Sequence, residues 1–419
     1  MNLAKTSLLS LIVTSIKLLS NLIVNKAIAI LIGPVGLVYI GNLQNALLLI
    51  TTLAQGGINI GVTKYTAEFS CGAEQQRINL LSTSFKITFF LTILISLCLL
   101  FFSSELSILV FMKVEYSYIF VTLSIFLILS SLNQLFISVI NGLKEVKLFM
   151  LISAAQSFYT LLSTLFFLYL WGIEGVLINL VTSQSVIFIF VAIYFVKYNS
   201  INFSFEQIFR YNFDKIIASK LFKFSLMTLV TAILAPSSLF IIRNYLSTNL
   251  TLNDAGIWQG LISISNMYLL VVTTALTSYY LPKLSSTSDG VDLKVEFFAA
   301  FKFFIPLVSL IAVVVYFLKD LLVFILFSED FAPMLPLFKW QLIGDVIKIS
   351  SWLCSFIILA KAKVKIYVIT EIFLYTLYTL TSVIMVSFFG LIGTVYAFAL
   401  VYSIYFVCML LIVNFVFFK

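Results

Sequence analysis

Six charged side chains within segments of this sequence that are otherwise apolar enough to span a membrane are candidates for a role in transport. They are the cations Lys17, Lys26, Arg243 and Lys348 and the acids Asp345 and Glu371. A charge at the bilayer centre costs at least ~2.5–3.5 kcal/mol on insertion scales, so such residues usually face a cavity or a pathway. Four cations against two acids leave a net charge of +2. This excess predicts an interior that accepts an anion, such as a diphosphate.

Lys17 begins a polar stripe in the first apolar segment, about 13 Å from Leu9 at ~1.5 Å per helical residue. Asn21 follows at i+4 and Asn25 at i+8. A stripe facing lipid would leave amides unsatisfied in hydrocarbon, so we expect it to face the interior and bind substrate. A structural hydrogen bond to a neighbouring helix is the alternative. Lys26 is placed ~180° around the helix from Lys17, close enough to the outer end to snorkel.

The remaining intramembrane charges allow two interpretations each. Arg243, beside Asn244, either holds phosphate or snorkels to the outer interface. Asp345 and Lys348 are i, i+3 neighbours, the spacing of a self-neutralising pair, in which Asp345 positions Lys348 for phosphate. Glu371 either reaches Lys348 or titrates alone as a proton site.

Several amides in the second and eighth segments could face sugar hydroxyls. They are Asn42, Gln44, Asn45, Gln55, Asn59, Gln259 and Asn266. Single amides in spans also join helix to helix, which is the competing interpretation.

Composition excludes a water-soluble domain. The chain has 419 residues, of which 62% are hydrophobic and 10% charged, and a mean hydropathy of +1.14. Its apolar runs are near-continuous over the length of a span, which favours helices over an alternating barrel pattern. The net charge of +8 comes from lysines in short loops, where they orient helices rather than bind nucleic acid.

The residue types also limit the chemistry. Histidine is absent, which excludes Ser-His-Asp and Cys-His catalytic sites and His-ligated metals. The four cysteines lack metal-ligand spacing and fit as apolar fillers. We therefore predict no enzyme, no catalytic residue, no metal and no cofactor. The first apolar run contains Lys17 and is predicted to be a permanent span, not a cleaved signal.

Twelve spans can be drawn, and the loops between them orient the chain. The spans are 8–32, 37–62, 80–102, 118–140, 148–170, 175–196, 221–242, 256–280, 301–318, 335–359, 366–388 and 391–417. One side of the predicted membrane receives most of the lysines and arginines, whereas the other receives only Lys113 and Lys319, with Lys339 near its edge. Because positive loops stay in the cytoplasm, both termini are predicted to be cytoplasmic.

A weak internal repeat relates the two halves at a shift of about 219 residues. Residues 36–41 resemble 256–260, and the basic turn at 141–147 resembles that at 360–365. The predicted fold is all-α, with six-helix bundles at 1–198 and 220–419 related by a pseudo-two-fold axis normal to the membrane. Between them, 199–219 is predicted to be a cytoplasmic interfacial helix, whether it is a simple tether or a regulatory element.

Particular motifs resemble the Wzx flippases of Gram-negative surface-polysaccharide pathways over essentially the whole chain. The motifs are NDAGIWQGLISIS (253–265), WQLIGDVIK (340–348), AKA (360–362), LAKTS (3–7), GPVGL (33–37) and GVTKY (61–65). The translocases of O-antigen and enterobacterial common antigen are the most similar. Relatives can carry an acid where this chain has Asn266, which argues against proton coupling at that position.

This resemblance implies the fold of the multidrug/oligosaccharidyl-lipid/polysaccharide exporter superfamily, two six-helix bundles around a central cavity. It also implies export of an undecaprenyl-diphosphate-linked O-antigen or related oligosaccharide to the outer leaflet of the bacterial inner membrane. The implied partners are this lipid-linked substrate, membrane lipid and other polysaccharide-assembly membrane proteins.

Two functions compete with this interpretation. A multidrug–cation antiporter of the same superfamily would need carboxylates in its cavity, whereas the first span here carries lysines. A membrane enzyme such as a polymerase or ligase would need a sizeable outer loop, and the predicted outer loops are short. Proton antiport through Asp345 or Glu371 and export driven by the membrane potential alone both remain open.

Overall fold

The computed structural model describes residues 3–69, 74–143, 145–198, 213–287, 290–361 and 363–417, and every element in these ranges is helical. The helices are α1 (Leu3–Leu31), α2 (Pro34–Ala54), α3 (Asn59–Glu68), α4 (Glu74–Phe101), α5 (Ser103–Phe111), α6 (Ser117–Gly142), α7 (Val146–Tyr198), α8 (Lys215–Asn249), α9 (Leu252–Ala275), α10 (Leu281–Ser286), α11 (Val291–Phe317), α12 (Lys319–Leu326), α13 (Phe338–Ala360), α14 (Val364–Phe389) and α15 (Gly393–Phe417). A π-helical turn, Leu276–Tyr280, joins α9 to α10, and 3-10 turns at Glu329–Leu337 and Gly390–Ile392 precede α13 and α15. The predicted all-α membrane architecture is confirmed.

Within the described ranges, ten helical segments are long and apolar enough to cross a membrane. Two of them, Lys147–Ala192 with 46 residues and Val364–Phe417 with 54, far exceed the ~20 residues of one crossing. Each contains a glycine with positive φ, Gly172 at 58° and Gly390 at 64°. Dividing both segments at these glycines gives twelve segments of spanning length. The twelve-span count stays a prediction.

The chain forms two compact units. Unit 1 comprises Met1–Ala27 and Tyr39–Pro236, and unit 2 comprises Ile28–Val38 and Ser237–Lys419. The two units are defined by contacts in space, whereas the predicted domains at 1–198 and 220–419 are continuous stretches of sequence. The predicted domain boundaries therefore stay a prediction. Most of the predicted linker helix, 199–212, lies outside the described residues.

The described end of that linker leads directly into α8. The Asp214 carboxylate accepts hydrogen bonds from the backbone N–H groups of Ile216 at 2.9 Å and Ile217 at 3.1 Å. These contacts satisfy donors that the first turn of a helix cannot satisfy internally. An aspartate cap therefore fixes where α8 begins.

In unit 1 the second predicted span is not continuous. The expected helix at 37–62 is interrupted between α2 and α3, where Gly56 and Gly57 have φ of 65° and 62°. Glycine adopts such values without the steric penalty that other residues meet. The carbonyl of Ala54 accepts a 3.1 Å hydrogen bond from Thr92 on α4, and that of Gly56 accepts one from Ser225 on α8. Neighbouring hydroxyls therefore replace bonds that the broken helix has lost.

Glycines allow close helix packing in unit 2. A Cβ added at Gly256 on α9 would lie 2.2 Å from the carbonyl oxygen of Pro34, at the start of α2. One turn later, a Cβ at Gly260 would lie 2.7 Å from Met334. Membrane helices use such small residues, four apart, because dispersion contacts rather than hydrophobic burial hold them together in lipid.

Candidate functional site

Unit 1 encloses a polar cavity of about 530 Å³. Its wall consists of Lys17, Gln44, Leu47, Leu48, Thr51, Thr52, Gln55, Asn59, Leu123, Ser130, Gln134, Gln156, Thr160, Leu180, Val181, Ser183 and Gln184. Most of these side chains carry an amide or a hydroxyl. Among the lining residues that the structure describes, Lys17 is charged and none is Asp or Glu. The cavity therefore has a positive charge and many groups that can both donate and accept hydrogen bonds.

Four helices and the break after α2 position these groups. Lys17 projects from α1, Thr51 and Thr52 from α2, Gln134 from α6, and Gln184 from the part of α7 that follows Gly172. Gln134 Nε2 donates to Gln184 Oε1 at 2.9 Å, which joins α6 to α7 across the cavity wall. The pair is 50 residues apart in sequence. Only the folded unit shows that these two amides belong to one site.

The break between α2 and α3 lies at the cavity wall. Gln55, which precedes it, is 5% exposed and accepts a hydrogen bond from the amide of Asn59, the first residue of α3. Irregular backbone at membrane depth is tolerated where it is buried in protein or lines a cavity. No side chain caps the N-terminus of α3. An uncapped helix N-terminus carries partial positive charge, which has the same sign as the charge of Lys17.

The first helix places its polar residues differently from one another. Lys17, Asn21 and Lys26 are all exposed side chains of α1, and of the three Lys17 also lies on the cavity wall. Binding of substrate by Lys17, Asn21 and Lys26 stays a prediction, and the cavity favours Lys17 among them.

In unit 2, Arg243 is buried, with 1% of its side chain exposed. Its guanidinium donates a hydrogen bond to Gln259 Oε1 on α9, and its central carbon lies 6.0 Å from the ring centre of Trp258. This burial excludes the alternative that Arg243 snorkels to the interface. A phosphate-binding role for Arg243 and Gln259 stays a prediction, and here the two side chains bind each other.

A second group of intramembrane polar residues surrounds Asp345 on α13. Asp345 is fully buried and accepts hydrogen bonds from Tyr268 on α9 and from Gln341 Nε2, the latter at 3.3 Å. Lys348, one turn later, does not form an ion pair with Asp345. Its ammonium lies over aromatic rings instead. Glu371 on α14 is also buried, at 6% exposed, and interacts electrostatically with Tyr375, Tyr402 and Tyr405.

Sequence reasoning missed several of these groups. It did not single out Gln134, Gln156 or Gln184, although an amide in an apolar span is a detectable signal. It also missed Tyr268, the partner of Asp345 from 77 residues away. No group of three or more His, Cys, Asp or Glu side chains in the described chain could hold a metal ion.

The sequence was compared with protein families and with known proteins. No family model matches the sequence. The chain is 29% identical over 406 residues to proteins named lipid III flippase from Escherichia coli K12 and from Shigella flexneri, and the alignment covers 97% of this chain and 97% of each relative.

Solved structures show the same fold. An outward-facing multidrug resistance MATE transporter of the MOP superfamily matches with a TM-score of 0.77 and 15% identity, over 98% of this chain and 94% of that one. An inward-facing MATE transporter matches at 0.71 and 13%, over 96% and 98%. A MOP transporter from Pyrococcus furiosus, described as having a binding pocket of reverse polarity, matches at 0.71 and 14%, over 98% and 95%.

Proposed function

We propose that this multi-pass membrane protein of the MOP superfamily is a flippase for an undecaprenyl-diphosphate-linked oligosaccharide, an O-antigen unit or a related glycan. It moves the head group from the cytoplasmic to the periplasmic leaflet of the bacterial inner membrane. The observation that carries this proposal is the unit 1 cavity, which combines Lys17 with amides and hydroxyls and has no described acid on its wall.

Each part of the cavity suits one part of such a substrate. Lys17 and the uncapped N-terminus of α3 favour phosphate, since both supply positive charge. Gln44, Gln156 and the threonines can exchange hydrogen bonds with sugar hydroxyls. Moving a charged, hydroxyl-rich head across ~30 Å of hydrocarbon without such partners is prohibitive. The cavity lowers that barrier.

Whole-length similarity to proteins named lipid III flippase supports a lipid-linked glycan as cargo. Alternating access through a central cationic cavity moves the head group while the polyprenyl tail remains in lipid. Lys26 and Arg243 are further candidate substrate ligands. Both termini are proposed to lie in the cytoplasm. Other polysaccharide-assembly membrane proteins are proposed partners, and neither nucleic acid nor a cofactor has a role.

A multidrug–cation antiporter is the alternative, because the fold is also that of MATE transporters. A cavity for organic cations would need carboxylates, and none lines the described wall of the unit 1 cavity. The charge of the cavity therefore favours an anionic substrate.

Genetic complementation tests the proposed function. We expect the chain to restore the surface glycan of a bacterium from which the matching lipid-linked oligosaccharide flippase is deleted, and not to raise its resistance to cationic drugs. Drug resistance without restored glycan would instead support the antiporter.

Replacing Gln184 by leucine tests the sugar-binding part of the cavity. The variant loses the 2.9 Å hydrogen bond to Gln134 and a polar group on the wall. A typical hydrogen bond is worth about 0.5–1.5 kcal/mol, so we expect initial glycan translocation to fall up to about tenfold. Gln75→Leu is the matched control, since Gln75 is exposed on α4 and does not line the cavity. Equal rates for both variants would remove Gln184 from the binding surface.

A further inference from the structure

The side chain of Lys348 lies in an aromatic cage inside unit 2. Its ammonium is 4.9 Å from the ring centre of Trp352, 5.8 Å from that of Phe398 and 5.9 Å from that of Tyr402. Trp352 follows Lys348 by one turn of α13, whereas Phe398 and Tyr402 lie one turn apart on α15. Cations within ~6 Å of an aromatic ring centre are attracted by its negative face. Three rings from two helices therefore form a binding site for an ammonium group.

A buried acid lies next to this cage along α13. Asp345 precedes Lys348 by one turn and is fully buried, and the charge of Lys348 acts on it. A carboxylate within a bilayer needs a counter-charge as well as hydrogen bonds. Tyr268 and Gln341 supply hydrogen bonds to Asp345 but carry no positive charge.

Lys348 supplies that charge without binding the carboxylate directly. The i, i+3 spacing would permit an ion pair, yet none forms, because the ammonium is held on the rings of α15 and Trp352. The aromatic faces offset the loss of water around the ammonium. A cation attached to the chain therefore occupies a buried site that attracts cations.

We propose that Lys348 is a tethered counter-cation that balances the buried Asp345, so that this acid needs neither a sodium ion nor a proton to neutralise it. Glycan translocation consequently needs neither a sodium gradient nor a proton gradient. An anionic cargo leaving a cell that is negative inside gains ~2.3 kcal/mol per charge per 100 mV, so the membrane potential supplies the drive. The transport part of this proposal rests on the proposed function, whereas the cation-binding part does not.

Several ionisable groups could otherwise make transport depend on pH. Those around Asp345 and Lys348 are Tyr268 on α9, Tyr378 and Glu371 on α14, and Tyr402 on α15. With Lys348 in the cage, Asp345 has an internal counter-charge and need not take up a proton in each cycle. We therefore expect no proton stoichiometry from Asp345 and Lys348.

Cation binding is tested first, on the purified full-length Lys348→Ala variant. This substitution deletes a propylammonium-sized part of the side chain, so propylammonium chloride should refill the cage. We expect it to raise the melting temperature of the variant and not that of the wild type, whose cage is occupied. Sodium chloride at equal ionic strength should not act in the same way, because sodium lacks the alkyl part that fills the cage. Equal shifts in both proteins, or no shift of the variant with either salt, would overturn the proposal.

Translocation is measured next in proteoliposomes, with a polyprenyl diphosphate that carries one fluorescently labelled hexosamine as the probe. The wild type should retain its rate, within about twofold, when sodium is replaced by choline and when a pH gradient is collapsed at constant membrane potential. Lys348→Ala should fall at least about tenfold and recover with propylammonium, and Lys348→Arg should retain most of the rate. Collapse of the wild-type rate without sodium or a pH gradient contradicts the proposal, and this arm needs no variant to fold. If the wild type moves the probe under no ionic condition, the proposed function is contradicted instead. The proposal about the aromatic cage is then tested by the melting temperatures alone.

Discussion

Replacing Lys17 by glutamate is expected to abolish glycan translocation while leaving the protein in the membrane. Lys17 is the charged residue on the described wall of the unit 1 cavity, so the substitution turns attraction for phosphate into repulsion. Two unit charges ~4 Å apart interact by ~4 kcal/mol at an effective dielectric constant of 20. Even after screening, reversing that contact should slow translocation by at least about 100-fold.

The measurement is surface glycan in a complementation strain, together with the amount of protein in isolated membranes. Lys113→Glu provides the control, since Lys113 is exposed in the turn after α5 and does not line the cavity. We expect the control to support normal glycan. Normal glycan in the Lys17→Glu strain would mean that the cavity charge has no part in transport.

Replacing Gly256 by valine is expected to lower the amount of folded protein substantially. Even the Cβ atom of the new side chain would meet the backbone of Pro34, at 2.2 Å from its oxygen and 2.4 Å from its carbonyl carbon. Backbone atoms cannot rotate away as a side chain can, so α9 and the start of α2 would have to separate. Overpacking of this kind typically costs about 1–3 kcal/mol and occasionally more.

Thermal unfolding in detergent should show a lower midpoint for Gly256→Val, with a smaller decrease for Gly256→Ala. Val271→Ile adds a methylene to the same helix where the side chain is 44% exposed, and it should have little effect. Equal midpoints for wild type and Gly256→Val would show that α9 and α2 can separate freely at this point.

Sequence alone was enough to predict features that depend on local composition. Long apolar runs predicted helices, and the structure confirms them. Long apolar runs also predicted an unbroken second span. Hydropathy contains no information on backbone angles, so it could not show that Gly56 and Gly57 adopt positive φ. The adjacent glycines were the available signal, since glycine is favoured where a helix must stop.

Contacts between distant parts of the chain could not be predicted in this way. The i, i+3 spacing of Asp345 and Lys348 suggested an ion pair, and it would have been the default in an isolated helix. The structure instead places the ammonium over Phe398 and Tyr402, which belong to a different helix. Tertiary packing determines which of two adequate partners a flexible lysine contacts.

Transport of matched probes in proteoliposomes tests the central claim most directly. The wild type would be given two polyprenyl-linked hexosamines that differ only in whether the linkage is a diphosphate or an uncharged ether. A cavity whose positive charge serves a phosphate-bearing cargo predicts that the diphosphate probe is translocated far faster and that Lys17→Glu removes this preference. Equal rates for the charged and the neutral probe, unchanged by Lys17→Glu, would contradict the account.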